Sequence, residues 1–324
     1  MDITGRAAEP LPTDPGPPRD ADYEVSLVSL NQWQIAWRRF KKHKLAVFGS
    51  VLFFGIVLIA IVGPFFLPYD ANDIPTPTKF CPGTQLSSQP GCPPTFAHPF
   101  GTTARLQRDV LVLVVNGARL SLLIGVGASL VSAMVGAMIG GIAGYFGGWI
   151  DNILMRIVDI LLSLPLLFVI LVMGKFLGNG QGSWLLILMV FAIFGWPSIA
   201  RLVRSLFLAL RNEVFVEAAR AVGVSDLRII FRHILPNAVS PIIVATTLAV
   251  AGFIVTEAFV SFVGYGVDPD TPTWGNALAN SQGTIPNGDW WWPVFPGVAI
   301  VLTVLGINFM GDGLRDALDP KARL

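Results

Sequence analysis

Four long stretches of this 324-residue chain contain no Asp, Glu, Lys or Arg: 45–69, 120–150, 176–200 and 290–311. Two more carry a single charge each, Asp159 within 157–174 and Glu257 within 233–267. A bilayer core about 30 Å thick is crossed by about 20 apolar helical residues. Backbone groups in lipid must be satisfied inside the segment, so helices are the spanning form these stretches select. The expected fold is an all-α integral membrane protein with six transmembrane helices, at roughly 45–67, 117–142, 154–176, 184–206, 238–262 and 292–311.

Charged residues make up 13% of the chain, against about 25% in soluble domains, and the blocks account for the deficit. A mean hydropathy of +0.64 argues against disorder despite 33 Gly and 24 Pro. The net charge of +1 excludes a nucleic-acid grip driven by overall charge.

Basic residues near span ends set the orientation. Arg38, Arg39, Lys41, Lys42 and Lys44 precede the first span, and Arg201, Arg204, Arg211, Arg220, Arg228 and Arg232 lie between the fourth and fifth. Six spans return the C-terminus, with Arg315, Lys321 and Arg323, to that same side. Seventeen basic residues gather there, and five (Lys79, Arg105, Arg108, Arg119, Lys175) lie opposite. Both termini are therefore expected in the cytoplasm of a multi-pass protein.

This divides the chain into a disordered cytoplasmic tail over 1–37 and a first transmembrane helix with its basic flank over 38–68. An extracytoplasmic loop follows over 69–110, then a core of five transmembrane helices over 111–314 and a cytoplasmic tail over 315–324. The core includes a cytoplasmic loop at 213–237. The first apolar block is too long for a signal-peptide core and is expected to be retained.

The outer loop holds the only cysteines, Cys81 and Cys92, bracketing a turn-rich segment on the oxidising side. A disulfide closing this loop stands beside the alternative of two unpaired thiols. Two cysteines without clustered His or carboxylates make no metal site. Ser132, Gly136, Gly140, Gly144 and Gly148 recur every fourth position, which permits close helix approach. That stripe is either a subunit interface or packing within the chain. Intramembrane carboxylates are functional candidates by default. Asp159 either belongs to a pathway or pairs with Arg156 near the inner interface, and Glu257 serves either helix packing or a pathway.

The 213–237 segment reads EVFVEAARAVG followed by VSDLRIIFRHILPN. Phe215, Ala218, Ala219 and Val222 share one helical face, and Leu227, Ile230, Phe231 and Ile234 another. Gly223 fits a helix C′ position, Ser225 an N-cap, and Pro236 a helix end or the start of the next span. Two short amphipathic helices are expected, either docking in a partner's groove or lying on anionic lipid.

EAARAVG (217–223) followed by Leu235-Pro236 resembles the EAA loop of ABC importer permeases, matched by Glu217, Ala218, Ala219, Gly223, Leu235 and Pro236. His233 stands where the common motif has Ile. HPFGT (98–102), RDV (108–110), GARLSL (117–122), GYFGGWID (144–151), MRIVDILLSLP (155–165) and TEAFVSFVGYGVDPDTPTWG (256–275) are similar to the C-type permease of the dipeptide/oligopeptide/nickel branch. Thr103 and Gln107 depart from the Asp and Gly usual there. The resemblance runs from about 38 to 320.

The resemblance implies a type I importer subunit in a prokaryotic inner membrane, forming half of a pathway with a homologous B-type permease. It implies two cytoplasmic ATPase subunits on the EAA loops, an extracytoplasmic solute-binding protein, and di- or oligopeptides as substrate. Nickel chelates and glutathione are alternatives within the class. ATP and Mg would be used by the partners, with no cofactor on this chain. The sequence contains no Gly-x-x-x-x-Gly-Lys-Ser/Thr phosphate loop, so it is not expected to hydrolyse ATP. The rival class is a proton-coupled secondary transporter using Glu257.

Overall fold

The sequence writes apolar runs longer than a bilayer needs, and the helices take up the excess length. The computed structural model describes residues 32–67, 91–104, 108–177 and 183–319. A short helix α1 (Gln32–Lys42) precedes α2 (Lys44–Phe66). Residues 32–37, expected in a disordered tail, are therefore helical, and His43 separates the basic flank in α1 from α2, which corresponds to the expected span at 45–67. The His43 ring Nδ1 accepts from the Ala46 N–H at 3.1 Å and caps α2.

Helix α3 (Val110–Phe146) is 37 residues long, about 55 Å at 1.5 Å per residue. The Asp109 carboxylate starts it by accepting from the N–H groups of Leu111 and Val112. Gly147, at φ +66°, ends it and turns the chain into α4 (Gly148–Ser163).

The expected third span, 154–176, is not one straight helix. Helix α4 and its continuation α5 (Leu166–Leu177) meet at a bend of 76°. Pro165 lacks an N–H and pushes the preceding residue out of helical geometry. Leu164 accordingly sits at φ −80°, ψ 127°. Among the described residues, five helices are long and apolar enough to span, and the bent pair counts as a sixth if taken as one span.

Helix α6 (Trp184–Leu210) lies beside α3 and forms the most extensive helix pair of the fold. Both run in the same direction. A Cβ on Gly136 would come 2.8 Å from the Ile199 Cβ, on Gly140 2.9 Å from the Val203 Cβ, and on Gly144 2.6 Å from the Phe207 Cβ. Each step of four on α3 meets a step of four on α6. The small-residue stripe over 132–144 is thus packing within the chain, with only Gly148 beyond it.

After α6 come α7 (Val214–Ala221) and α8 (Asp226–Ile229). A π-helical turn, Ile230–Ile234, joins α8 without interruption to α9 (Leu235–Phe262). The second short helix is therefore the first part of the fifth span rather than a separate element. Pro236 has no N–H to give, and the ladder adjusts ahead of it: the Leu235 N–H reaches back five residues to the Ile230 carbonyl. Helix α10 (Trp274–Asn280), a 3₁₀ turn (Ile285–Asn287) and α11 (Trp291–Leu318) complete the described elements.

Proline also shapes α2. Pro64 leaves the carbonyl of Ala60 without its helical donor. The Arg119 guanidinium fills the gap from α3, donating to Ala60 O at 2.8 Å and Ile61 O at 2.9 Å.

Candidate functional site

Local sequence builds the 213–235 segment as one unit. Helix α7 ends in a Schellman motif: the Val224 N–H reaches Ala219 O and the Gly223 N–H reaches Arg220 O, both at 3.1 Å. Gly223 at φ +78° supplies the left-handed residue this needs. Ser225 occupies the N-cap position of α8, in extended geometry, without a side-chain cap hydrogen bond.

Each of the two expected apolar faces is divided between covered and exposed side chains. On α7 the buried side chains are Val216 and Ala219, while Phe215, Ala218 and Val222 are exposed. On α8 and the π-helical turn, Ile229, Ile230 and Ile234 are buried, while Leu227 and Phe231 are exposed. The segment has two apolar stripes. One joins Ile199, Val203 and Phe207 of α6 in a common core. The other, with Val222 80%, Leu227 68% and Phe231 65% exposed, has no cover among the described residues.

Polar contacts lock the unit to the end of α3. The Tyr145 hydroxyl donates to the Asp226 carboxylate, and the Arg220 guanidinium lies 5.9 Å from the centre of the Tyr145 ring. Arg211 donates to the terminal carbonyls of Gly144 and Tyr145. Arg204 grips Asp151 of α4 through both Nε and Nη2. Sequence reasoning singled out none of these pairs, because their partners lie on different helices. Tyr145 within GYFGG was the available signal, a lone hydroxyl at a helix end.

Of the sequence-derived site residues, Glu217, Ala218 and Gly223 are exposed and Ala219 is buried on α7 and its turn. Leu235 is half-buried and Pro236 exposed where the π-helical turn meets α9. Asp159 does not pair with Arg156. It accepts from Arg201 of α6 at 2.7 Å, and both side chains are more than half exposed.

Glu257 lies 22 residues beyond Leu235 on the same helix, about 33 Å along its axis. It is wholly buried. Its oxygens accept from Ser261 at 2.9 Å and Ser121 at 3.1 Å. Ser121 accepts in turn from the Trp274 N–H at 3.2 Å. The carboxylate therefore ties α3, α9 and the α10 cap together.

Above this node the opposite end of the bundle is closed by a strap. Thr102 and Asp109 form an isolated antiparallel bridge, and His98 Nδ1 meets the Asp109 carboxylate at 2.6 Å. Trp291 Nε1 donates to Thr102 O. Asp289 is buried and accepts from the Gly91 N–H at 3.1 Å. Burial pushes its carboxyl above the usual range, opposed by the smaller effect of that N–H. Cys92 is buried here and disulfide-bonded; Cys81 lies outside the described residues. Among the described residues, no group of His, Cys, Asp and Glu is arranged to hold a metal.

Comparison with known proteins places this architecture. Residues 136–324 match the family described as binding-protein-dependent transport system inner membrane component. Residues 31–85 match the N-terminal TM domain of oligopeptide transport permease C. The chain is 39% identical to the dipeptide transport system permease protein DppC of Bacillus subtilis, covering 94% of this chain and 90% of that protein. It is 38% identical to the oligopeptide transport system permease protein OppC of the same organism, covering 93% of each. It is 37% identical to the glutathione transport system permease protein GsiD of Escherichia coli, covering 90% of this chain and 91% of that one. A solved structure of the MetNI methionine ABC transporter, in inward-facing conformations, superposes with a TM-score of 0.50 at 21% identity. It covers 64% of this chain and 97% of its own, and it supports the type I importer permease fold alone. With its helical core, its EAA segment and these relatives, the chain belongs to the binding-protein-dependent transport system inner membrane component family, as an ABC importer permease of the dipeptide/oligopeptide branch.

Proposed function

We propose that this chain forms half of the translocation pathway of an ATP-driven importer of di- or oligopeptides. The observation that carries the reading is the second apolar stripe of the 213–235 segment. Val222, Leu227 and Phe231 are held outward on a unit locked to α3 by Tyr145 and to α6 by a buried core. Short helices with exposed apolar anchors and Arg neighbours suit a groove on a partner protein. In this reading the basic end faces the cytoplasm of a prokaryote and two ATPase subunits dock there. A homologous B-type permease completes the pathway, and a solute-binding protein delivers ligand to the opposite end. Closure of the ATPases moves α7 and α8, and α6 and α9 follow because they share the same core. ATP and Mg act on the partners, not on this chain.

Peptide is the proposed substrate because the dipeptide and oligopeptide permeases are similar over nine-tenths of the chain. The proton-coupled reading loses its support at Glu257. A proton site needs a wet path, whereas this carboxylate is wholly buried among hydroxyls. The test is uptake of a labelled dipeptide by vesicles containing the reconstituted complex and its binding protein. Vanadate should abolish uptake and a protonophore should leave it intact. The reverse pattern overturns the proposal.

A further inference from the structure

Helix α1 carries a surface that no other described residue covers. At about 100° per residue, Ala36, Phe40, Trp33 and Trp37 fall in one apolar arc, with Lys41 at its edge and Arg38, Arg39 and Lys42 opposite. The bundle takes only half of that arc. Ala36 and Phe40 are buried, and Phe40 shares a small core with Ala46 of α2 and Ala317 of α11. Arg39 donates to Asp319 O at 2.9 Å and fastens the helix a second time. Trp33 and Trp37 stay 53% and 59% exposed.

These indoles are held in place. Trp37 stacks on the covered Phe40 at 6.0 Å, with the rings 6° from parallel, and Lys41 Nζ lies 4.9 Å from the centre of the Trp37 ring. The bare surface resumes beyond His43, where Lys44, Leu45 and Phe48 are exposed at the start of α2. Helix α2 has the highest mean hydropathy of the spanning helices, 2.9, so the hydrocarbon of the bilayer begins within a turn of Lys44.

Arg38, Lys41, Lys42 and Lys44 are all exposed and lie at headgroup level on this reading. An indole, apolar in its body and polar at its N–H, suits the same depth. Helix α1 contains no acidic residue, and Asp316 and Asp319 contact this end through His43 and Arg39. An acidic groove on a soluble partner matches the charge but not the apolar side chains that continue into α2. The headgroup layer of an anionic leaflet matches both.

We propose that α1 is a binding surface for anionic phospholipid, with Trp33 and Trp37 at the acyl boundary and Arg38, Lys41, Lys42 and Lys44 on the headgroup phosphates. Phe40 and Arg39 clasp α1 to α11, so the lipid contact also anchors that end of α11. The surface stands on its own geometry and does not depend on the transport reading.

The test is native mass spectrometry of the full chain, assembled with its partner permease and ATPases and released from a neutral detergent. The probes are phosphatidylglycerol, phosphatidylcholine and inorganic phosphate. The wild type should retain phosphatidylglycerol more tightly than phosphatidylcholine, and inorganic phosphate should not displace it. Arg38→Gln, Lys41→Gln and Lys42→Gln should each weaken phosphatidylglycerol about fivefold, the factor of ~1 kcal/mol per basic residue at an anionic surface, and leave phosphatidylcholine unchanged. Lys42→Arg, which keeps the charge, should bind as the wild type does. Trp33→Ser combined with Trp37→Ser should weaken both lipids. Unchanged phosphatidylglycerol binding in the triple Gln variant overturns the proposal, as does equal binding of the two lipids by the wild type or displacement by inorganic phosphate. Loss of ATPase subunits from the triple variant, at unchanged lipid binding, overturns it in favour of an acidic protein partner. If the triple variant does not assemble, the three single variants decide by the same criterion.

Discussion

The hydroxyl of Tyr145, in the last turn of α3, donates a hydrogen bond to the carboxylate of Asp226, in the first turn of α8. This contact joins the segment proposed to dock on the ATPases to the longest helix of the core. Tyr145→Phe removes it while keeping the ring under Arg220. The expected result is normal membrane insertion and ATPase activity with uptake lowered about fivefold, the factor of ~1 kcal/mol. Uptake and ATP hydrolysis measured on the same vesicles check it, and an unchanged transport-to-hydrolysis ratio refutes it.

Gly223 carries φ +78°, and a Cβ built there meets no atom within 4 Å. The constraint is therefore conformational and not steric. Gly223→Ala should cost about 1–2 kcal/mol and leave measurable uptake. Gly223→Pro cannot reach this φ and also loses the N–H that closes on Arg220 O. It should uncouple hydrolysis from uptake with the complex still inserted, and undiminished uptake would remove Gly223 from the coupling unit.

Glu257→Gln keeps the size and the acceptor oxygen of the buried node. Uptake should stay within about twofold of the wild type, because hydroxyls rotate to suit an amide. Glu257→Leu, by contrast, strands the hydroxyls of Ser121 and Ser261 and should lower the unfolding temperature, at a cost of about 1–3 kcal/mol per stranded group. A large loss of uptake in Glu257→Gln at normal stability would return the residue to the pathway.

Arg119→Met should destabilise the chain by about 1–3 kcal/mol, since it uncovers the Ala60 carbonyl that Pro64 leaves without a donor and removes the bond to Ile61 O. Arg119→Lys should recover part of this, having charge but no fork. Thermal unfolding in detergent, followed by tryptophan fluorescence, is the readout.

Asp289 binds its proton more tightly in the folded chain, because burial raises its carboxyl. Its favourable contribution is full below the unfolded-state carboxylate pKa and is lost as pH rises through the folded one. The unfolding temperature of the wild type should therefore rise on acidification from neutral pH, relative to Asp289→Asn. Equal pH profiles for the two proteins would exclude this role.

Much of the fold was legible because lipid leaves few options. The apolar blocks, four free of charge and two with a single charge each, located the spanning helices of the described residues, and Gly223 announced its turn by residue type alone. The EAA residues were placed in one segment for the same reason, being local in sequence. What was hidden depends on partners distant in the chain. The bend at Pro165 was written in the residue, yet hydropathy passes over it, since a broken apolar run reads the same as a straight one. The outward turn of Phe215 and Val222 was hidden because α7 is apolar on two sides and only the fold decides which side is covered. Asp159 found Arg201 rather than Arg156 because α4 and α6 lie side by side, a proximity no spacing rule along one helix contains.

The unbroken run from Asp226 to Phe262 gives the protein a mechanical property. A push delivered at Leu227 enters a stiff shaft that crosses the full thickness of the bilayer, with its one departure from α-helical winding at residues 230–234. At the far end Glu257 and Ser261 are fastened to Ser121 and the α10 cap. Under the proposed docking, work done on one side of the membrane would reach the other as displacement of a connected body, and a load placed on the far cap would be felt in return at the near end.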